Sequence, residues 1–255
     1  MGLIDTHCHF EMLKAPAADV LADAREAGVD VVLAIGTDLR SSRGAVELAG
    51  RHDEIYAVVG MHPHDAVHFD GVVRTGLQHL LAHPKTVAVG ECGLDFYRDH
   101  SPRDVQRAAF IDQLGLARAV GSPVVVHTRE AAGETFAILT EHAEGLTVVL
   151  HCFTATDFID LCNERGYYLA FAGNLTYKNA DDLRLAARQA REDRLLVETD
   201  APYLTPEPQR GRENRPAKVA YTAALLAQLR GLEPAALAEI TSANARRAFR
   251  LPATG

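Results

Sequence analysis

His7 and His9 stand two residues apart in the run Asp5-Thr6-His7-Cys8-His9. On an extended backbone, residues two apart project to the same side, so both imidazoles face together and Cys8 points the other way. Further residues of ligating type close later apolar runs: Glu91 after Gly90, His127 after Val126, His151 after Leu150, and Asp200 after Glu198-Thr199. Imidazole and carboxylate together suit zinc, manganese, iron or cobalt, and one bridging carboxylate can hold two cations about 3.5–4 Å apart. Glu91 is the expected bridge. The same alternation turns Cys92 and Cys152 away from the ligand side. A lone histidine at such a position more often serves packing or meets solvent. Several run ends of ligating type in one chain resist that explanation, because buried polar groups without compensation are costly. His52, His79, His83, His100 and His142 fall in helix-like or loop-like sequence and read as solvated.

The elements that must position these residues alternate in type. Apolar, β-branched runs recur at 2–5, 30–36, 55–60, 86–91, 123–127, 147–151, 167–171 and 195–199. Between them, 16–27, 41–51, 102–120, 130–141 and 180–189 carry helical periodicity. Ser101 is the expected N-cap of the helix over 102–120, with Pro102 at its first position and Asp104 in its first turn. Past the eighth run the sequence reads as loop through Pro202, Pro206, Pro208, Gly211 and Pro216, then as helix to about Phe249. Strand alternating with helix predicts parallel βαβ units. Eight of them in this length predict a (β/α)8 TIM barrel as one domain over residues 1–255, with an open doubly wound sheet as the alternative. In such a barrel the strand C-termini share one face, where the ligating residues would meet.

Bulk composition narrows the function classes. Hydrophobic residues make up 47% and charged residues 24% of the 255 residues, which excludes a disordered chain. No apolar run approaches the roughly 20 residues of a membrane span, and no signal-peptide pattern opens the sequence, so the cytoplasm is the expected location. Four cysteines without a CxxC pair read as reduced thiols. A net charge of −8 argues against a broad basic surface that grips nucleic acid non-specifically. It leaves a phosphate substrate open, since bound divalent cations can invert the local charge.

Several segments together give the chain a resemblance to the TatD family of metal-dependent deoxyribonucleases. They are Asp5 through His9, Gly60-Met61-His62-Pro63-His64, Gly90 through Tyr97, His127-Thr128-Arg129-Glu130-Ala131, His151-Cys152-Phe153, Glu198 through Leu204, Arg210-Gly211 through Asn214 and Pro216, and Asn244 through Phe249. One departure is Thr154-Ala155, where the family usually has a small hydroxyl residue and glycine. The resemblance implies two divalent metal ions (Mg, Mn or Zn), one held by His7, His9, Glu91 and Asp200 and the other by Glu91, His127 and His151. It implies hydrolysis of phosphodiester bonds in DNA, as a 3′ to 5′ exodeoxyribonuclease; single-stranded DNA ends are the expected substrate, and no obligate protein partner is expected. Some relatives act on D-aminoacyl-tRNA, which keeps that deacylation as an alternative.

Within that scheme Asp200 accepts the proton of the attacking water. His62 and His64, projecting to one side of the loop after the third run, donate to phosphate or to the leaving alkoxide. Arg129 either grips phosphate with its planar fork or pairs with Glu130 or Asp95. Glu198 and Asp95 orient ligand imidazoles. Tyr203, Phe96 and Tyr97 stack on bases or pack internally, and Asn214 binds substrate or forms a turn. The rival reading is another amidohydrolase-type barrel acting on a lactone, amide or phosphotriester. Many of those bridge two metals with a carbamylated lysine, but Lys14, Lys85, Lys178 and Lys218 all lie away from the run ends. A catalytically silent barrel is the other class, and it would be expected to lose ligands piecemeal.

Overall fold

The computed structural model describes residues 2–252; position 1 and positions 253–255 of the expected span lie outside the described residues. Each of the eight expected runs forms a strand: β1 (Leu3–Cys8), β2 (Val29–Ile35), β3 (Ile55–Val59), β4 (Thr86–Asp95), β5 (Val124–Arg129), β6 (Val148–Leu150), β7 (Tyr168–Phe171) and β8 (Leu195–Val197). The helices are α1 (Ala17–Glu26), α2 (Leu39–Arg51), α3 (Gly71–Leu80), α4 (Arg103–Val120), α5 (Ala132–His142), α6 (Ile159–Arg165), α7 (Asp181–Gln189), α8 (Val219–Arg230) and α9 (Pro234–Phe249). The strands follow one another from β1 to β8 in a single eight-stranded sheet. This is the (β/α)8 TIM-barrel fold. Parallel strands covered on both faces explain why the runs are continuously apolar: in β2 only Asp30 reaches solvent. Among the described residues no helix is long and apolar enough to cross a membrane.

Two compact units make up the chain, one of residues 34–150 and one of the residues on either side of that stretch. In the 34–150 unit β3, β4, β5 and β6 pair in parallel. Helix α2 starts on a reciprocal cap in which Asp38 accepts from the Ser41 amide at 2.6 Å. Two glutamines buried on α4 tie the loops to the scaffold. Gln113 accepts from Met61 N and donates to Met61 O, while Gln106 accepts from Asp95 N and donates to Asp95 O. The expected Ser101 cap does not form, and Pro102 takes the cap position without a side-chain bond. The Ser101 hydroxyl is spent instead on the loop after β3, donating to His64 O and accepting from Val67 N.

In the other unit β7 pairs with β8 in parallel, Leu169 opposite Leu195. Cys8 at the end of β1 bridges to Ala201. Helix α9 fastens this unit through the Asn244 amide, which donates to Glu192 O and Leu195 O, and through the Ser242 hydroxyl, which donates to Gly2 O.

Candidate metal centre

Within the unit of the chain ends, β1 delivers His7 and His9 together, with Nε2 atoms 3.2 Å apart and both residues buried. Backbone bonds bring Asp200 to them: Asp200 N donates to His7 O and His9 N donates to Ala201 O. The Asp200 carboxylate then lies 3.4 Å from His9 Nε2 and 3.9 Å from His7 Nε2. Asp200 adopts a left-handed backbone (φ 55°), a conformation Asp tolerates better than most residues. Beneath this pair, Asp5 accepts from Thr199 N and from the Thr199 hydroxyl at 2.8 and 2.6 Å. Burial pushes the Asp5 carboxyl up to about 8.

His151 follows β6 and stacks on His7 with ring centroids 4.0 Å apart. Its Nδ1 lies 3.2 Å from Glu198 Oε1, which also accepts from Cys152 N at 2.7 Å. Glu198 thus meets the His151 ring on its Nδ1 side. Glu198 Oε2 is buried with no hydrogen-bond partner among the described residues. Cys8, the residue between His7 and His9, is fully buried, and burial with Asp5 and Asp200 nearby holds its thiol well above the ordinary range.

In the 34–150 unit, β4 runs four residues beyond the expected end at Glu91 and stops at Asp95. The register with β5 shifts between Val89 and Cys92. Two glycines permit the close approach of the strands: a Cβ on Gly90 would meet Val125 O at 2.6 Å, and one on Gly93 would meet His127 O at 2.0 Å. Both have positive φ, 147° and 139°, where L side chains are strained. The extension puts carboxylates at both nitrogens of His127. Glu91 Oε1 is 2.8 Å from Nδ1, and Asp95 Oδ2 is 3.2 Å from Nε2.

His62 and His64 join the same group, His62 Nε2 lying 3.5 Å from Glu91 and His64 Nε2 2.9 Å from Asp95. They converge through the 3-10 turn Pro63–His68, in which His62 Nδ1 accepts from His64 N, rather than through strand alternation. Burial alone would raise the Asp95 carboxyl. Bonds from His127, the Arg98 amide and His64 outweigh it and hold the group well below the usual carboxylate range. Asp200 behaves alike, its burial outweighed by His9, His151 and His7.

The donor chemistry fits divalent cations. Ligand atoms of His62, Glu91 and His127 lie within 4.8 Å of one another, as do those of His7, His151 and Glu198. Each unit thus gathers imidazole nitrogen with carboxylate oxygen, the mixture borderline and hard divalent ions take.

The remaining expected residues are spread around these sets. Tyr203 is half exposed, with its ring 6.1 Å from that of His9. Arg129 is exposed, lies 3.9 Å from the centre of the Tyr97 ring and pairs with neither Glu130 nor Asp95. Asn214 is a correction. It is fully buried, and its amide donates to Thr199 O and Tyr203 O, so it locks the turn that carries Asp200 and has no group left for substrate. Asp5, Gln106 and Gln113 had no expected role although they are buried. The two glutamines, seven residues apart on the apolar stripe of α4, were the readable signal, since polar residues seldom sit there without a partner.

Comparison with known proteins gives the family. The family model described as TatD related DNase matches residues 4–250. The Bacillus subtilis protein YabD, named a metal-dependent hydrolase, is 37% identical over 253 residues, covering 98% of this chain and 99% of its own. The protein named 3′-5′ ssDNA/RNA exonuclease TatD of Edwardsiella piscicida is 40% identical over 240 residues, covering 91% and 92%. The crystal structure of the TatD homologue YJJV from Escherichia coli superposes with a TM-score of 0.91 at 30% identity, covering 98% of each chain. With that family match and these identities over nearly its full length, the chain belongs to the TatD-related DNase family and is a metal-dependent hydrolase.

Proposed function

We propose that the protein cleaves phosphodiester bonds at single-stranded DNA ends as a 3′ to 5′ exonuclease with two divalent ions. His7, His9, Glu91 and Asp200 would hold one ion, and Glu91, His127 and His151 the other. Bound there, Mg²⁺, Mn²⁺ or Zn²⁺ would neutralise phosphate charge and lower the pKa of water. Asp200, whose carboxyl stays ionised at neutral pH, takes the proton of the attacking water. His64, the more exposed of the loop histidines at 30% against 11% for His62, donates to the leaving oxygen while Asp95 steadies its ring. Glu198 orients His151 and Asp95 orients His127. Tyr203 offers a ring to a base and Arg129 a guanidinium to a phosphate.

The observation that carries the reading is Asp200 beside the paired Nε2 atoms of His7 and His9, which sets a base next to ligands. The strand preference draws on the printed name of the Edwardsiella relative, which gives RNA beside ssDNA. The test strips the protein with a chelator, reloads it with each metal, and follows end-labelled single- and double-stranded DNA and RNA beside an aminoacylated tRNA and a lactone panel. A ladder shortening from the 3′ end of single strands is expected. Hydrolysis confined to the tRNA or the lactones would overturn the reading.

A further inference from the structure

Beyond Asp95 the chain turns sharply, because Asp95 Oδ1 accepts from both Tyr97 N and Arg98 N at 3.0 and 2.9 Å. The same carboxylate that meets His127 and His64 therefore fixes the exposed dipeptide Tyr97-Arg98. Four arginines stack on the two aromatic rings here. Arg103 and Arg107 lie over Phe96, at 4.2 and 5.7 Å, and each has a carboxylate, Asp99 and Glu134 respectively. Arg129 and Arg98 lie over Tyr97, at 3.9 and 5.3 Å, and neither has a carboxylate partner among the described residues. Tyr97 is 52% exposed.

This contrast is informative in a chain of net charge −8, where acidic partners are plentiful. Two guanidiniums held in place by an exposed ring, with their hydrogen-bonding edges uncommitted, match an anionic strand that also has flat bases. Charge on the guanidiniums meets phosphate, and the ring meets any base without regard to its identity.

We propose that Tyr97, Arg98 and Arg129 form a strand platform that grips the nucleotides next to the scissile phosphate of a single-stranded polynucleotide. It rests on the exonuclease reading for its substrate class and for the role of Arg129, and it adds Tyr97 and Arg98 and joins the three into one surface. The platform reads backbone charge and base planarity, so it holds strands of any sequence and makes affinity depend on salt.

The test is fluorescence anisotropy of a labelled short oligothymidylate with chelator-treated protein, which binds without turnover, at increasing KCl. Each neutralised phosphate contact in a single strand contributes about 0.7 to the log–log salt slope. Arg98→Ala and Arg129→Ala are each expected to lower that slope by about 0.7. Tyr97→Ala is expected to weaken binding about tenfold or more, and Tyr97→Phe to restore it. Arg51→Ala, an exposed arginine on α2 paired with Glu47, is expected to keep the wild-type slope and so controls for lost charge in general. Wild-type slopes in both platform arginine variants would overturn the platform, even if the metal-loaded enzyme still shortens oligonucleotides, in which case the exonuclease reading stands. Binding that depends on the platform without hydrolysis under any metal would sustain the platform and sink the exonuclease reading. A wild-type protein that neither binds nor cuts the strand overturns both.

Discussion

Asp95 and His127 meet at 3.2 Å through Oδ2 and Nε2, and the same carboxylate oxygen lies 2.9 Å from His64. One acidic group, buried at the end of β4, thus meets two imidazoles, one on β5 and one on the turn after β3.

Asp95→Asn tests this arrangement. The amide keeps the shape but loses the charge that orders both rings, and loss of such an orienting partner costs about 10–100-fold in metal affinity or activity. Calorimetric metal titration beside oligonucleotide hydrolysis would register it. A variant with wild-type affinity and rate would remove Asp95 from the site.

Asp200→Asn is expected to be more severe in rate. Loss of a general base costs about 10²–10⁴-fold. Single-turnover hydrolysis under saturating metal separates this from weakened metal binding. A rate within a factor of about two of wild type would shift the base elsewhere.

Asn214→Ala is expected to act through stability. Thr199 O, which is buried, and Tyr203 O, which is part-buried, would lose their donor, at about 1–3 kcal/mol for a buried polar group left unsatisfied. Chemical denaturation should show that loss. An unchanged midpoint would mean that water takes over the role.

The cap of α2 gives a pH dependence. Burial pushes the Asp38 carboxyl up, but the Ser41 hydroxyl and amide outweigh it and hold it below its usual range. A carboxyl lower in the folded than in the unfolded state stabilises fully above the unfolded value near about 4, and that contribution fades as pH falls through the folded value. Asp38→Ala should therefore cost about 0.5–2 kcal/mol at neutral pH, with the gap closing in acid. Denaturation curves of both proteins at several pH values measure the gap, and a gap that stays constant into acid would contradict the cap.

All eight strands, and the residues of ligating type at or near their ends, were legible in the sequence because apolar periodicity and residue chemistry are local. Helix α3 was not, since Gly71, Val72 and Val73 are weak helix formers and the Asp70 side chain, accepting from Val72 N and Val73 N, starts it. The four extra residues of β4 escaped too. Glycine in a strand interior weakens it, and only contact with β5 reveals Gly90 and Gly93 as the places where two backbones touch. For Asn214 the sequence left substrate binding and turn formation both open, because burial is not written in residue type; its bonds to Thr199 O and Tyr203 O favour the turn.

Asp5 and Thr199 grip each other across 194 residues of sequence. During synthesis on the ribosome, His7 and His9 emerge early and wait for Asp200, which must be translated and brought back before the pair gains its carboxylate. By this scheme, hydrolytic competence arrives only once most of the polypeptide has been made.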